Sequence, residues 1–274
     1  MEILDLIAGP WRSGIDRRAM AEVVLLGGFC GALSFWVWNY RLSYPAESLA
    51  HGLLPGLVLA ALAGAPLLLG AGAGVAVAAI LVAMAGRDER VGADTATAVV
   101  VSGMFGLGGL LALSPDAPAR LEELLFGDPL GVTDADLAAA ALLAVFGAGA
   151  LFALHRPLTA VAFDTGAAGP SSARVRLALL LVLAGSLAVA VQGLGSLLVL
   201  AVLVAPAVAV RGHARTPGRA MLAGGVVAAV AGVAGLYFSH HLGSAAGASV
   251  ALALCAAAAV GSLRRPSAGA RPAA

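Results

Sequence analysis

Glu47 and His51 stand four residues apart in the stretch Pro45-Ala46-Glu47-Ser48-Leu49-Ala50-His51-Gly52-Leu53-Leu54-Pro55-Gly56. On a helix that spacing brings a carboxylate and an imidazole onto one face. Imidazole nitrogen with carboxylate oxygen is a borderline-to-hard donor set, suited to a divalent cation of the zinc or manganese type. Two ligands make a weak station that can release its ion rather than a tight site. The same pair also reads as an interfacial ion pair at a helix start. His240-His241 offers two more imidazoles in a short external turn. Adjacent helical side chains point about 100° apart, so metal admission there competes with two solvated histidines. Asp94 is expected to cap the helix that follows it. Asp164 lies in an arginine-flanked loop and reads either as a partner contact or as a hydrated charge. Pro206 should kink the helix that contains it.

Other chemistry is excluded by what is missing. All 16 basic residues are arginine. Without lysine there is no P-loop and no Schiff base, so any ATP must be bound by another chain. No Ser-His-Asp ordering, HExxH pattern, CxxC pair or glycine-rich phosphate loop occurs in the sequence. No catalytic residue and no cofactor are expected. Cys30 and Cys255 lie far apart in apolar runs, so no disulfide framework is readable. A net charge of +1 gives no electrostatic case for nucleic acid.

The elements that must position these residues are membrane helices. The 274 residues are 61% hydrophobic and only 11% charged, against about a quarter charged in soluble domains. Stretches free of charge and histidine run over 23–40, 52–86, 95–115, 137–154, 177–210, 220–239 and 242–263. A crossing needs about 20 apolar residues, so five runs fit one helix each. The run 177–210 reads as two crossings broken at Gln192-Gly193-Leu194-Gly195. The run 52–86 is open, because Pro66 and the glycines from Gly70 to Gly74 mark either a turn or a kink. The expected fold class is therefore an all-α polytopic membrane protein with eight or nine transmembrane helices. Arginine placement favours eight, with 14 arginines inside against 2 outside; nine helices give 12 against 4 and an external N-terminus. Residues 1–20 are expected to form an amphipathic lead-in, 21–263 one permease-like domain with a cytoplasmic loop at 155–176, and 264–274 a short basic tail.

Several segments together resemble the permease subunits of ABC importers for zinc and manganese, the ABC-3 family. Glu47 to Gly56 is similar to a family segment Asp-Ala-Ile-Ser-His-x-x-Leu-Pro-Gly. Asp94-Thr95-Ala96 matches part of Glu-Asp-Thr-Ala-Ile-Gly, and Leu125-Phe126-Gly127 through Val132-Thr133 matches a Leu-Phe-Gly segment. Phe163-Asp164 opens a counterpart of Phe-Asp-Pro-Glu-x-Ala, whose alanine falls on Ala168. Gln192 through Pro206 and Ala207 matches a Gln-x-Val-Gly segment that ends in Pro-Ala. These come in family order and cover roughly residues 23–263.

The resemblance implies a vitamin B12 importer-like (type II ABC importer) permease in the cell membrane, surrounded by lipid. It implies a homodimer with a central ion path, a cytoplasmic ABC ATPase below and an extracytoplasmic metal-binding protein above. It puts Glu47 and His51 in the metal path and makes Phe163, Asp164 and Ala168 the segment that docks into the ATPase. There are departures from the family pattern. Glu47 replaces aspartate, Thr165-Gly166 replaces Pro-Glu, and Gly243 stands where the family often has an acid. Competing expectations are a siderophore or cofactor permease on the same fold, a non-transport scaffold subunit, and an ATP-independent channel. The histidine donors lean the cargo toward zinc, with manganese and iron open.

Overall fold

The structure, a computed structural model, describes residues 13–85, 93–115, 131–163 and 170–263. Among these residues all regular structure is helical. The elements are α1 (Gly14–Asn39), α2 (Ser43–Gly52), α3 (Leu54–Leu62), α4 (Leu67–Ala85), α5 (Ala93–Ala112), α6 (Asp134–Phe163), α7 (Pro170–Leu194), α8 (Ser196–Val210), α9 (Pro217–Leu242) and α10 (Ala246–Leu263).

Local signals set the helix boundaries. Ser13 caps α1 by accepting from the Asp16 amide, and Asp16 adds a favourable charge to the first turn. Thr133 and Asp136 form a reciprocal capping box at the start of α6. The Thr133 amide donates to the Asp136 carboxylate at 3.0 Å, and the Asp136 amide donates to the Thr133 hydroxyl at 3.2 Å. Thr216 caps α9, Pro217 occupies its first turn, and Gly243 ends it in the left-handed conformation. His240 and His241 therefore sit in the last turn of α9, not in the following loop as expected. Gly195, with φ of 79°, reverses the chain between α7 and α8 at the break anticipated in the sequence. The run 52–86 is also a true turn: it breaks at Ala63–Pro66, where Gly64 has φ of 63°. Gly70 and Gly74 lie inside α4 instead.

Contacts between helices fix which end is which. His240 meets Asp16 and Arg18 meets Asp134, so the start of α1, the start of α6 and the end of α9 share one end of the bundle. The Tyr40 hydroxyl donates to the Leu158 carbonyl, and the Arg211 guanidinium lies 5.2 Å over the Trp38 ring. These contacts define the opposite end. Counting α2 and α3 as one pass, the described helices cross between the two ends nine times. That is the larger expected count, and it overturns the preference for eight and for an N-terminus on the arginine-rich side. The preference rested on counting Arg12, Arg17 and Arg18 with the other arginines; Arg18 instead lies at the opposite end, 2.9 Å from the Asp134 carboxylate. Arg41, Arg156, Arg174, Arg176, Arg211, Arg215 and Arg219 cluster at the Arg211 end, which is cytoplasmic by the positive-inside rule.

Among the described residues seven spans are long and apolar enough to cross a bilayer, and two shorter apolar helices are Leu67–Val82 and Leu198–Val210. The core lies among α1, α2, α7 and α8, where Leu26, Leu33, Trp36, Leu53, Leu183 and Leu198 are all buried. Phe146 and Phe152 on α6 and Leu252 on α10 face outward, as a lipid-bathed surface requires. Glycine seams close the bundle. A Cβ on Gly31 would run into Gly224 and Ala228, so α1 and α9 approach backbone to backbone.

Candidate functional site

The path to Glu47 and His51 begins with the turn that ends α1. The Leu42 amide donates to the Val37 carbonyl at 2.8 Å, and the Arg41 amide donates to the Trp38 carbonyl at 3.1 Å. This is a Schellman turn, with buried Leu42 closing over buried Val37. Its left-handed position belongs to Arg41, at φ of 55°, where glycine is usual. The chain then re-enters the bundle as α2, burying Ala46, Ser48, Ala50 and Gly52. Glu47, between the two buried sides, is exposed, and His51, one turn further on, is half-buried.

Pro55 ends α2 at the site itself. It has no amide hydrogen to offer the His51 carbonyl, four residues back, and its ring crowds that carbonyl. The Leu53 amide takes up the His51 oxygen instead, and α3 starts afresh at Leu54. Small residues seat the broken helix. A Cβ on Gly52 would meet Ala78, and one on Gly56 would meet the backbone of Gly70 and Gly74.

The depth of His51 follows from its neighbours. Its ring stands 5.4 Å from that of Phe105, edge to face. Phe105 is ~18 Å along α5 from the cytoplasmic end, and Ala78, beside Gly52, is ~17 Å along α4 from the other end. His51 is thus midway through the bundle, and Glu47 is ~6 Å nearer the cytoplasm. The His51 Nδ1 is buried with no hydrogen-bond partner. The chain therefore holds an exposed carboxylate and, one turn further on, a buried ring nitrogen with spare coordinating capacity.

The other expected site residues lie elsewhere. His240 and His241 are at the far end of the bundle, with rings 5.2 Å apart at 85°. His240 Nδ1 lies 3.3 Å from the Asp16 carboxylate, and the His241 ring is 6.3 Å from that of Tyr237. The structure does not bring them near His51. Phe163 ends α6, exposed at the cytoplasmic end. Asp164 and Ala168 fall outside the described residues. Asp94 is the second residue of α5 rather than the residue ahead of it. Gln192 lies in the last turn of α7, its side-chain amide donating to the Ala188 carbonyl at 2.7 Å. Pro206 is inside α8. Among the described residues no three His, Cys, Asp or Glu side chains converge as a metal-binding set.

One buried acid was not among the residues singled out in the sequence. Glu22 bounds the first apolar run and so reads as its edge, but α1 starts eight residues earlier and buries it to 1% exposure. The available signal was the cap at Ser13-x-x-Asp16, which places the helix start well before Glu22.

Comparison with known proteins gives a consistent answer. The profile of the ABC 3 transport family matches residues 15–265. The chain is 28% identical over 253 residues to the chelated iron transport system membrane protein YfeD of Yersinia pestis, covering 89% of this chain and 84% of that one. It is 27% identical over 253 residues to the manganese import system permease protein ScaB of Streptococcus parasanguinis, covering 91% and 90%. Among solved structures, PsaBC from Streptococcus pneumoniae in complex with Fab superposes with a TM-score of 0.86 over 96% of each chain, at 23% identity. That likeness shows a shared fold, and it is the type II importer-like fold expected from the sequence.

Proposed function

The chain belongs to the ABC 3 transport family, and from that membership we propose that it is the permease subunit of an ATP-driven importer for a divalent transition metal. The observation that carries the reading is Glu47 with His51: an exposed carboxylate one turn from a buried, unpartnered imidazole nitrogen at mid-depth. A charged group facing lipid at that depth is costly, so Glu47 belongs against a second copy or a water-filled path. Two copies meeting there supply two carboxylates and two imidazoles, enough for a four-coordinate ion. Each protomer alone supplies too few donors to hold the ion, so separating or tilting the pair releases it.

The rest of the chain takes supporting roles. A separate ATPase grips the segment at Phe163, Asp164 and Ala168, and this chain hydrolyses nothing itself. An extracytoplasmic binding protein delivers metal at the Asp16 end, where His240 and His241 lie. The relatives named above carry manganese and chelated iron in their names, which moves the cargo from zinc toward manganese or iron. The test is uptake of radioactive manganese and iron by cells carrying the complete transporter, with wild type compared against Glu47→Ala/His51→Ala. Loss of uptake at unchanged membrane yield is expected. Undiminished uptake of both metals removes the pair from the path.

A further inference from the structure

We propose that Glu22, Asp136 and Gln192 form a second cation site, enclosed within each protomer and built for a hard divalent ion such as Mn2+ or Ca2+. A cavity of about 30 Å3 is lined by Glu22, Leu68, Asp136, Ala139, Val189, Gln192 and Gly193. That is room for one ion or a water or two, and not for an organic molecule. It lies between α1, α4, α6 and α7, about 12 Å along α1 from Gly14 and thus near the end away from the cytoplasm.

Each donor has coordinating capacity that the fold leaves unspent. Glu22 is 1% exposed, and its Oε2 has no hydrogen-bond partner. A carboxylate so placed keeps its charge only beside a counter-charge. No arginine or histidine lines the cavity. Asp136 commits one oxygen, Oδ2, to the Thr133 amide and hydroxyl, which leaves Oδ1. Gln192 commits its amide nitrogen to the Ala188 carbonyl, so the part of its head group left to the cavity is an oxygen. The set is two carboxylates and an amide carbonyl, with no nitrogen or sulfur donor. All-oxygen sites suit manganese, calcium and magnesium over zinc.

Gly193 fits the same reading. A Cβ there would strike the Glu22 carboxylate, so glycine keeps the cavity open against the helix that carries Gln192. The proposal stands apart from the reading of Glu47 and His51, since the two groups lie on different helices and at different depths. An ion here ties the first helix to the sixth and seventh.

The experiment uses the full-length permease purified in detergent with its ATPase. Thermal unfolding is followed against MnCl2, CaCl2 and ZnCl2, and bound Mn2+ is counted by electron paramagnetic resonance. All variants are made in a Glu47→Ala/His51→Ala background so that the proposed path contributes nothing. Saturating Mn2+ is expected to raise Tm by about 5 °C, Zn2+ by less, with one Mn2+ per protomer. Glu22→Gln and Asp136→Asn should each abolish both signals. Should Glu22→Gln fail to fold, Asp136→Asn and Gln192→Leu carry the test. A shift unchanged in these variants, or no saturable shift in the background protein, overturns the proposal. Loss of uptake in the background protein bears only on Glu47 and His51, so the two readings fail separately.

Discussion

Glu47 and Glu22 are both glutamates on the membrane helices of one chain, and their surroundings are opposite. Glu47 is exposed on α2, with His51 one turn away. Glu22 is buried where four helices meet, beside a second acid and a side-chain amide. Under the two proposals, the open pair is completed by another molecule and lets its ion go when that molecule moves, whereas the closed set is completed inside the fold and keeps its ion. The backbone follows the same division. Around His51 a proline breaks the helix and glycines seat the fragments, whereas around Glu22 one uninterrupted helix runs from Gly14 to Asn39.

The sharpest way to break this comparison is at the open pair. Glu47→Ala/His51→Ala should lower manganese or iron uptake by more than about tenfold, since all four donors of the proposed shared station disappear. A fall of less than twofold would mean that openness has no connection with release. Next in size is Gly56→Val, which drives a branched side chain into the backbone of Gly70 and Gly74. It should cost roughly 3 kcal/mol, visible as a Tm drop of several degrees in detergent. At the closed site, Gly193→Ala meets the end of a flexible side chain rather than backbone. A smaller loss of about 1 kcal/mol is expected, together with a weaker response to Mn2+. Equal losses at 56 and 193 would erase the contrast between rigid seam and adjustable cavity.

Two changes near the turn before α2 refine the picture. Tyr40→Phe removes the 3.0 Å bond to the Leu158 carbonyl and should cost about 1 kcal/mol by thermal unfolding. Arg41→Gly relieves a left-handed arginine and should be neutral to stabilising, by about 0.5 kcal/mol. Destabilisation by Arg41→Gly would show that the guanidinium, not the backbone, holds this turn.

How much of this could be read from residues alone divides along physical lines. Long apolar runs gave the helices, because a bilayer admits no other unclosed structure. The polar, flexible Gln192–Gly195 break could be read because it interrupts a run too long for one crossing. Pro66 and the glycines from Gly70 to Gly74 left a turn or a kink open; the turn is made at Gly64 beside Pro66, while Gly70 and Gly74 serve helix packing. The arginine count misled at the first helix because the number of crossings, on which the side of Arg18 depends, turned on whether the run 52–86 holds a turn or a kink. Glu47 and His51 were readable as a pair because helical spacing is local. Glu22, Asp136 and Gln192 were not, since they come from three helices separated by more than fifty residues at each step.

The seam between α3 and α4 has a mechanical meaning. Where Gly56 meets Gly70 and Gly74 there are no side chains to swing or compress, so the two rods are clamped main chain to main chain. A push delivered to the cytoplasmic tip of α4 therefore reaches the neighbourhood of His51 as displacement, with no soft cushion to absorb it. Spin labels placed on α3 and α4 would keep a constant separation through a transport cycle, while either one would shift against a label on α9.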